Sequence, residues 1–390
     1  MTNVQSRVRG ILANYLRRLP KVKAAFAAAE MKLGLVTHSA AAVLPRIIQP
    51  TTRTLEVAIT ARCNLRCIGC RYGRDFMVGS QLSWPIARDL FDDASAAGLS
   101  SVRLYGGEPL LHPELSKMVE YCRHVNLTPY VTTNAVLLEK QIDELYAAGL
   151  RSITVGFYGT RDEYDGYVQR RNQFTKMEAG IVAVRSRYGA DVFMQLNWLL
   201  STRSCDLPTL AETVRFAEKY QLRIQVDLIH YSLPYFTEGP QRELQFRPED
   251  RGRIQAVVSE LIRLRSAKPA LFNHSEMGLR SITDWLLKGP QMRVPCDKYN
   301  MIWVGADGTV QLCYVTFRLG NLHEKRLSQM LFTDAHKRAA RDAFSLQCPN
   351  CHCGYDTRVQ KHAPSRFSYS AAIERAGRTP EPRHDSSQCM

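Results

Sequence analysis

Leu55-Glu56-Val57-Ala58-Ile59-Thr60 leads into Cys63-Asn64-Leu65-Arg66-Cys67-Ile68-Gly69-Cys70. The first stretch is an apolar run that predicts a strand. The second places three cysteines at C-x3-C-x2-C spacing. Three thiolates so close in sequence can wrap three corners of one small polymetal cluster, and soft thiolates favour iron–sulfur or zinc. A closed structural site wants four ligands. No fourth Cys or His follows until His112. Three ligands leave one metal corner open, where a small molecule can bind.

Read alone, these cysteines also fit a zinc knot or buried structural thiols. Gly106-Gly107-Glu108-Pro109, which follows the second predicted strand at Val102-Arg103-Leu104-Tyr105, argues against that. The two motifs together resemble the radical SAM enzymes, and the resemblance extends from about residue 54 to 355. It implies that Cys63, Cys67 and Cys70 hold a [4Fe–4S] cluster whose fourth iron binds the amino and carboxylate groups of S-adenosylmethionine. It also implies that Gly106, Gly107 and Glu108 hold the amino group of that cofactor.

The 390 residues suffice for one main domain plus something smaller. The chain holds 11 cysteines, most of them in two clusters, with no secretory signal and no apolar run long enough for a membrane span. Clustered cysteines in that setting argue for metal over disulfides and for a reducing, cytoplasmic location. The net charge of +15 suits an anionic substrate, nucleic acid or membrane surface, or simply a basic exterior. No nucleic-acid module is present, so no nucleic acid is expected as a partner.

Residues 1–50 read as a basic helical extension with a break at Pro20, carrying Arg7, Arg9, Arg17, Arg18, Lys21 and Lys23 among apolar residues. A helical arm packed on the main domain, a peripheral membrane contact, a transit peptide and a substrate-binding extension all fit this pattern. Residues 51–232 alternate short β runs with amphipathic stretches. The runs are 55–60, 101–105, 129–133, 152–157, 192–200 and 223–230, and Gly98 and Gly149 stand at helix ends. Six β–α repeats predict an α/β fold with a parallel sheet. Counts alone do not separate an open sheet from a barrel; the family resemblance implies a partial (β/α)6 TIM-type barrel. Residues 233–292 read as a variable connection.

The strand ends offer further candidates. Thr132-Thr133-Asn134 ends strand three, where relatives contact S-adenosylmethionine, so Asn134 is a candidate for its ribose or carboxylate. A turn residue fits Asn134 equally well. Gly156 and Tyr158 stand where many relatives carry a serine and an aspartate. Arg170, beside Arg171, resembles the arginine that relatives place on the cofactor carboxylate, a role suited to its fork. Gln225 and Asp227 share one face of strand six by period-two alternation, with His230 on the other.

A second cysteine group begins at Cys296. Asp307-Gly308 between two apolar runs predicts a hairpin, and the spacing through Cys313 is C-x11-G-x4-C. Cys348-Pro349-Asn350-Cys351-His352-Cys353 follows. This resembles the auxiliary-cluster extensions of radical SAM enzymes, called SPASM with two clusters and twitch with one. The complete SPASM pattern needs further cysteines where Thr357 and Lys361 stand. The resemblance therefore implies a twitch-like domain over 293–358, a small β-hairpin/helix iron–sulfur extension with one auxiliary [4Fe–4S] cluster. Cys296, Cys313, Cys348 and Cys351 hold it, and Cys353 is a further candidate. A zinc site fits the same spacing. The polar residues 359–390 read as a disordered tail.

The implied activity is reductive cleavage of S-adenosylmethionine to a 5′-deoxyadenosyl radical. That radical takes a hydrogen atom from the substrate, and the auxiliary cluster accepts an electron. An electron donor such as flavodoxin or ferredoxin is the implied partner. The substrate is either a small biosynthetic intermediate of sugar or aminocyclitol type, or a peptide or protein. A non-catalytic metal-binding protein is the third reading.

Overall fold

The computed structural model describes residues 20–230, 243–313 and 316–377. Six parallel strands form in the expected places: β1 (Thr54–Thr60), β2 (Ser101–Gly106), β3 (Thr128–Thr133), β4 (Ser152–Phe157), β5 (Phe193–Leu200) and β6 (Arg223–Leu228). A long helix, α1 (Pro20–Val43), precedes them. Between them run α2 (Trp84–Ala96), α3 (Leu115–His124), α4 (Leu138–Ala147), α5 (Arg161–Val168), α6 (Gln173–Tyr188) and α7 (Leu207–Lys219). Period-two alternation gives each strand an outward apolar set and an inward polar set. Val102, Leu104, Leu196, Trp198, Val226 and Leu228 are fully buried under the helices. Each such side chain contributes ~1.5–3 kcal/mol. Arg103, Tyr105, Gln195, Asn197, Gln225 and Asp227 face the concave side and stay half-exposed. The result is an open partial barrel with a polar interior.

The C-terminal extension is continuous with this sheet. β7 (Met301–Val304) lies parallel to β1, with Glu56 opposite Trp303. The turn at Asp307 and Gly308 joins β7 to antiparallel β8 (Thr309–Gln311), and β9 (Arg318–Asn321) follows. The order is β6-β5-β4-β3-β2-β1-β7-β8-β9 in one nine-stranded sheet. Gly308 has φ +80°, the left-handed conformation that the tight turn requires.

The variable connection carries α8 (Arg251–Ala267), where the sequence reads as helical from Arg251 to Ser266, and a second helix, α9 (Glu276–Lys288). The Ile224 N–H of edge strand β6 donates to the Leu271 carbonyl at 2.7 Å, so this segment caps the sheet edge. Residues 231–242 lie outside the described residues.

Over residues 359–377 the stretch expected as a disordered tail is helical. After α10 (Leu327–Met330) and α11 (Asp334–Phe344), the chain forms α12 (Tyr355–Lys361) and α13 (Ala363–Gly377). Composition misleads here because a few anchors suffice. Val359 is fully buried, the Arg358 guanidinium lies 4.7 Å over the Trp285 ring, and the Tyr369 hydroxyl donates to Asp284 at 2.7 Å. Residues 378–390 lie outside the described residues.

Helix α1 shows no break after Pro20, which stands at its first described turn. His38 packs edge-on against Phe344, with centroids 5.0 Å apart. The basic residues before Pro20 and the side chains of Lys21 and Lys23 lie outside what is described. Among the described residues no helix is long and apolar enough to cross a membrane.

Candidate active site and metal centres

The cysteine loop leaves the C-terminal end of β1, where barrel folds place their chemistry. Cys63, Cys67 and Cys70 line one cavity of about 370 Å³ together with Arg62, Arg66, Tyr72, Arg74, Gly107 and Arg170. Among the described residues no other cysteine or histidine lines it. The loop is pinned from three sides. The Ile68 N–H donates to the Tyr167 carbonyl at 2.9 Å and the Arg66 N–H to the Val168 carbonyl at 3.2 Å, both at the end of α5. Arg74 donates to the carbonyls of Cys67 and Cys70. Asn134 Nδ2 donates to Asn64 Oδ1 at 2.7 Å from the end of β3.

The glycine motif is interlocked with the loop. The Gly107 N–H donates to the Thr60 carbonyl and the Glu108 N–H to the Arg62 carbonyl, each at 2.8 Å. A Cβ on Gly107 would stand 2.3 Å from the Arg62 oxygen, so only glycine permits this approach. Glu108 is not in the cavity lining and is fully buried. Its Oε1 accepts from the Thr133 hydroxyl at 2.6 Å and the Leu110 N–H at 3.0 Å, and its Oε2 accepts from the Asn134 N–H at 2.8 Å. Burial pushes its carboxyl up to about 7, against the pull of those three donors. The side chain ties β2 to β3 with both oxygens hydrogen-bonded inside the protein. Gly107 lines the cavity itself.

Arg170 reaches the cavity and Arg171 is not in its lining. Asp165 Oδ1 holds the preceding turn by accepting from the N–H groups of Gln173 and Phe174 at 2.9 and 2.8 Å. Tyr158 folds back over Gly156, where a Cβ would lie 3.0 Å from the tyrosine oxygen, and stacks on Tyr167 with centroids 4.1 Å apart. Sequence reasoning missed Asn64, Tyr167 and the arginines 62, 66 and 74. The arginines were legible, because they lie within or beside the cysteine motif.

Cys296, Cys313, Cys348, Cys351 and Cys353 all line a second cavity with Lys298 and Arg358. Arg358 braces it, donating from Nη1 to the Cys351 carbonyl at 2.5 Å and from Nη2 to Asn350 Oδ1 at 3.1 Å. Cys353 donates to Cys351, which lowers the Cys351 pKa and raises that of Cys353. His352 is outside the lining; it packs 5.7 Å from Trp285 and 6.0 Å from His230. Cys122 and Cys205 are buried elsewhere, and Cys389 lies outside the described residues.

Both sites fit iron–sulfur clusters. Burial pushes the Cys63 thiol up to about 12 and raises Cys67 and Cys70. Thiolates there need a cation among them. Among the described residues, no three His, Cys, Asp or Glu side chains converge on a single metal ion. Thiols spread around a cavity suit a polynuclear cluster better than zinc. Cys63 follows the C-terminal end of β1 while Cys296 precedes the parallel β7. Seven strand residues at ~3.3 Å each separate the two sets by roughly 20 Å along that direction.

Two family models match the chain: the Radical SAM superfamily over residues 57–194 and the SPASM iron-sulfur cluster-binding domain over residues 296–353. The chain carries a radical SAM domain. Its SPASM match ends at Cys353, the last of the five thiols. Among curated relatives of the chain, a probable GTP 3′,8-cyclase of Methanothermobacter thermautotrophicus is 33% identical over 133 residues. The alignment covers 33% of this chain and 43% of the cyclase. The AdoMet-dependent heme synthase of Methanosarcina barkeri is 29% identical over 170 residues, covering 43% and 47%. The chain spans about half the length of the curated relatives it matches. Native anSMEcpe with bound AdoMet superposes with a TM-score of 0.59 at 15% identity, covering 83% of this chain and 97% of its own. Streptococcus suis SuiB bound to precursor peptide SuiA gives 0.55 at 16%, covering 77% and 69%. At these identities the likeness is one of fold.

Proposed function

We propose that this protein oxidises a small, polar substrate held against the concave face of the barrel. One observation carries the reading: three thiols line a cavity at the end of β1, five line another before β7, and a polar interior lies beside both. When bound, the first cluster supplies the electron that cleaves S-adenosylmethionine to the hydrogen-abstracting 5′-deoxyadenosyl radical, and the second supplies an electron acceptor. Cys63, Cys67 and Cys70 would hold the first; four of Cys296, Cys313, Cys348, Cys351 and Cys353 would hold the second.

The protein's own groups position and shield. Arg170 offers its fork to the cofactor carboxylate. The stacked Tyr158 and Tyr167 pack beside the cysteine loop and exclude water. Asn197 Nδ2 donates to Asp227 Oδ2 at 3.0 Å on the concave face. Asp227 is thereby aimed to contact the substrate and to take the proton that leaves during its oxidation. The names of the curated relatives, a GTP cyclase and a heme synthase, favour a small molecule. Peptide modification is the second reading, supported by the fold shared with the peptide-bound SuiB. A reducing cytoplasm and a flavodoxin or ferredoxin donor would suit either.

The test is 5′-deoxyadenosine formation from S-adenosylmethionine by the reduced, cluster-loaded protein. The wild type should form it and Cys67→Ala should not. Wild type with full iron content that forms none would overturn the reading.

A further inference from the structure

Helix α1 is packed on one face and open on the other. On the packed face His38 and Ala41 are buried, and His38 meets Phe344 of α11. A Cβ on Gly34 would lie 3.3 Å from Cε of Lys361 in α12. On the open face Ala29, Lys32, Leu33, Val36, Ala40 and Val43 recur at i, i+3 and i+4 spacing, which sets them in one stripe. All six are exposed, Leu33 at 66%, Val36 at 65% and Val43 at 87%. A helix apolar on both faces is ordinarily buried on both. Elsewhere among the described residues the exposed large apolar side chains, Val78, Val182, Phe193, Leu207 and Phe367, stand far apart in sequence. Single exposed apolar residues need no explanation; a stripe of them does.

The charge along this stretch has one sign. Lys32 lies within the stripe, and Arg46, also exposed, follows the helix. Before Glu30 the sequence holds Arg7, Arg9, Arg17, Arg18, Lys21 and Lys23 and no acidic residue. Glu30 is the one acid ahead of Glu56, and it pairs with Arg53 at 3.3 Å. A second copy of the chain is therefore disfavoured as the occupant. Parallel pairing of two α1 helices would bring both basic segments to the same end, and antiparallel pairing would bring each toward the Arg46 end of the other. An apolar stripe that carries a lysine and is continued by a basic segment instead matches a surface with anionic groups outside and hydrocarbon beneath.

We propose that the open face of α1 docks the protein on an anionic phospholipid bilayer, with Leu33, Val36 and Val43 entering the headgroup boundary and Lys32 meeting lipid phosphates. The contact is peripheral, since among the described residues no helix is long and apolar enough to cross a membrane. Because the opposite face packs on α11 and α12, α1 would lie between the bilayer and those helices. No residue of α1 lines the cysteine cavity, so docking leaves that site to its own chemistry. The proposal stands apart from the radical SAM reading.

The test is vesicle flotation of the full, cluster-loaded chain under anaerobic conditions. Vesicles of phosphatidylcholine alone are compared with an equimolar mixture of phosphatidylcholine and phosphatidylglycerol. Wild type should float with the mixed vesicles, less so as salt rises, and should not float with phosphatidylcholine alone. Leu33→Ser and Val36→Ser should each weaken partition roughly tenfold, and Lys32→Gln roughly fivefold. These side chains are exposed, so iron content and 5′-deoxyadenosine formation should match wild type; if a Ser variant loses iron, Lys32→Gln decides. Four results would overturn the proposal. They are no flotation of wild type, equal flotation with both kinds of vesicle, flotation indifferent to both Ser variants, and a wild-type dimer in sedimentation velocity that Leu33→Ser dissociates. The third would leave the contact to the basic segment alone, and the fourth would give the stripe to a second copy. Flotation is read without turnover, so it can fail while 5′-deoxyadenosine still forms, and the reverse.

Discussion

Asn134, at the end of β3, donates from Nδ2 to Asn64 Oδ1 at 2.7 Å, and Asn64 sits directly after Cys63. The same residue donates its backbone N–H to Glu108. One asparagine thus links the cysteine loop to the glycine motif. Neither contact requires the cofactor, so Asn134 has a structural task whatever it offers a ligand.

Asn134→Ala removes the side-chain tie and leaves Asn64 to water. A hydrogen bond of this kind contributes about 1 kcal/mol. The expected result is roughly fivefold faster loss of the first cluster to an iron chelator, with the auxiliary cluster released at the wild-type rate. Time-resolved absorbance during chelation checks this.

Glu108 ties β2 to β3, and its replacement by Ala strands three buried donors, at Leu110, Thr133 and Asn134. The expected cost is about 2–4 kcal/mol, read from the urea midpoint, with Glu108→Gln less damaging. The pH dependence follows from its raised carboxyl, about 7 in the folded chain against 4.5 for the free group. An acid whose folded pKa is raised contributes stability below 4.5 and loses that contribution as pH rises through about 7. Stability measured at pH 5 and pH 8 should differ less in Glu108→Gln than in wild type.

Cysteine replacement separates the two metal centres. Wild type should hold about eight irons, and the triple change of Cys63, Cys67 and Cys70 to Ala about four. Cys296→Ala with Cys313→Ala should leave about four at the first site. Cys353→Ala tests which of the five thiols is spare: full iron with an altered spectrum of the auxiliary cluster would mark Cys353 as a neighbour of the cluster, and loss of about four irons would mark it as a ligand.

The C-terminal helices are docked by Asp356. Its carboxylate accepts from the hydroxyl and N–H of Ser275 and from Gln360 Nε2 at 2.9 Å. A Cβ on Gly278 would lie 2.0 Å from Asp356 Oδ1. Asp356→Ala should cost about 2–3 kcal/mol, and Gly278→Ala should also destabilise the chain. Both changes should expose residues 363–377 to limited proteolysis. Resistance equal to wild type would mean that Asp356 does not hold these helices.

Much of the architecture was written locally. Strand runs with period two, helix stripes with period 3.6 and Gly98 and Gly149 at helix ends located six strands to within one or two residues. The C-x3-C-x2-C loop carried its chemistry in its own spacing, because three ligands to one cluster need only a short chain between them. Asp307 and Gly308 announced their hairpin for the same reason. What the sequence by itself could not determine were relations between residues far apart along the chain. The sequence does not show that folding brings Thr133 and Asn134 to the oxygens of Glu108 from some 25 residues away. The five thiols of the second site share a cavity only because β7 joins β1 and Arg358 draws the later cysteines under Val294. Composition marked the end of the chain as disordered, yet burial of Val359 and a few polar anchors outweigh its lack of large apolar residues. Local periodicity reports what a segment can become; which surface it meets is a property of packing, and packing decided where these side chains point.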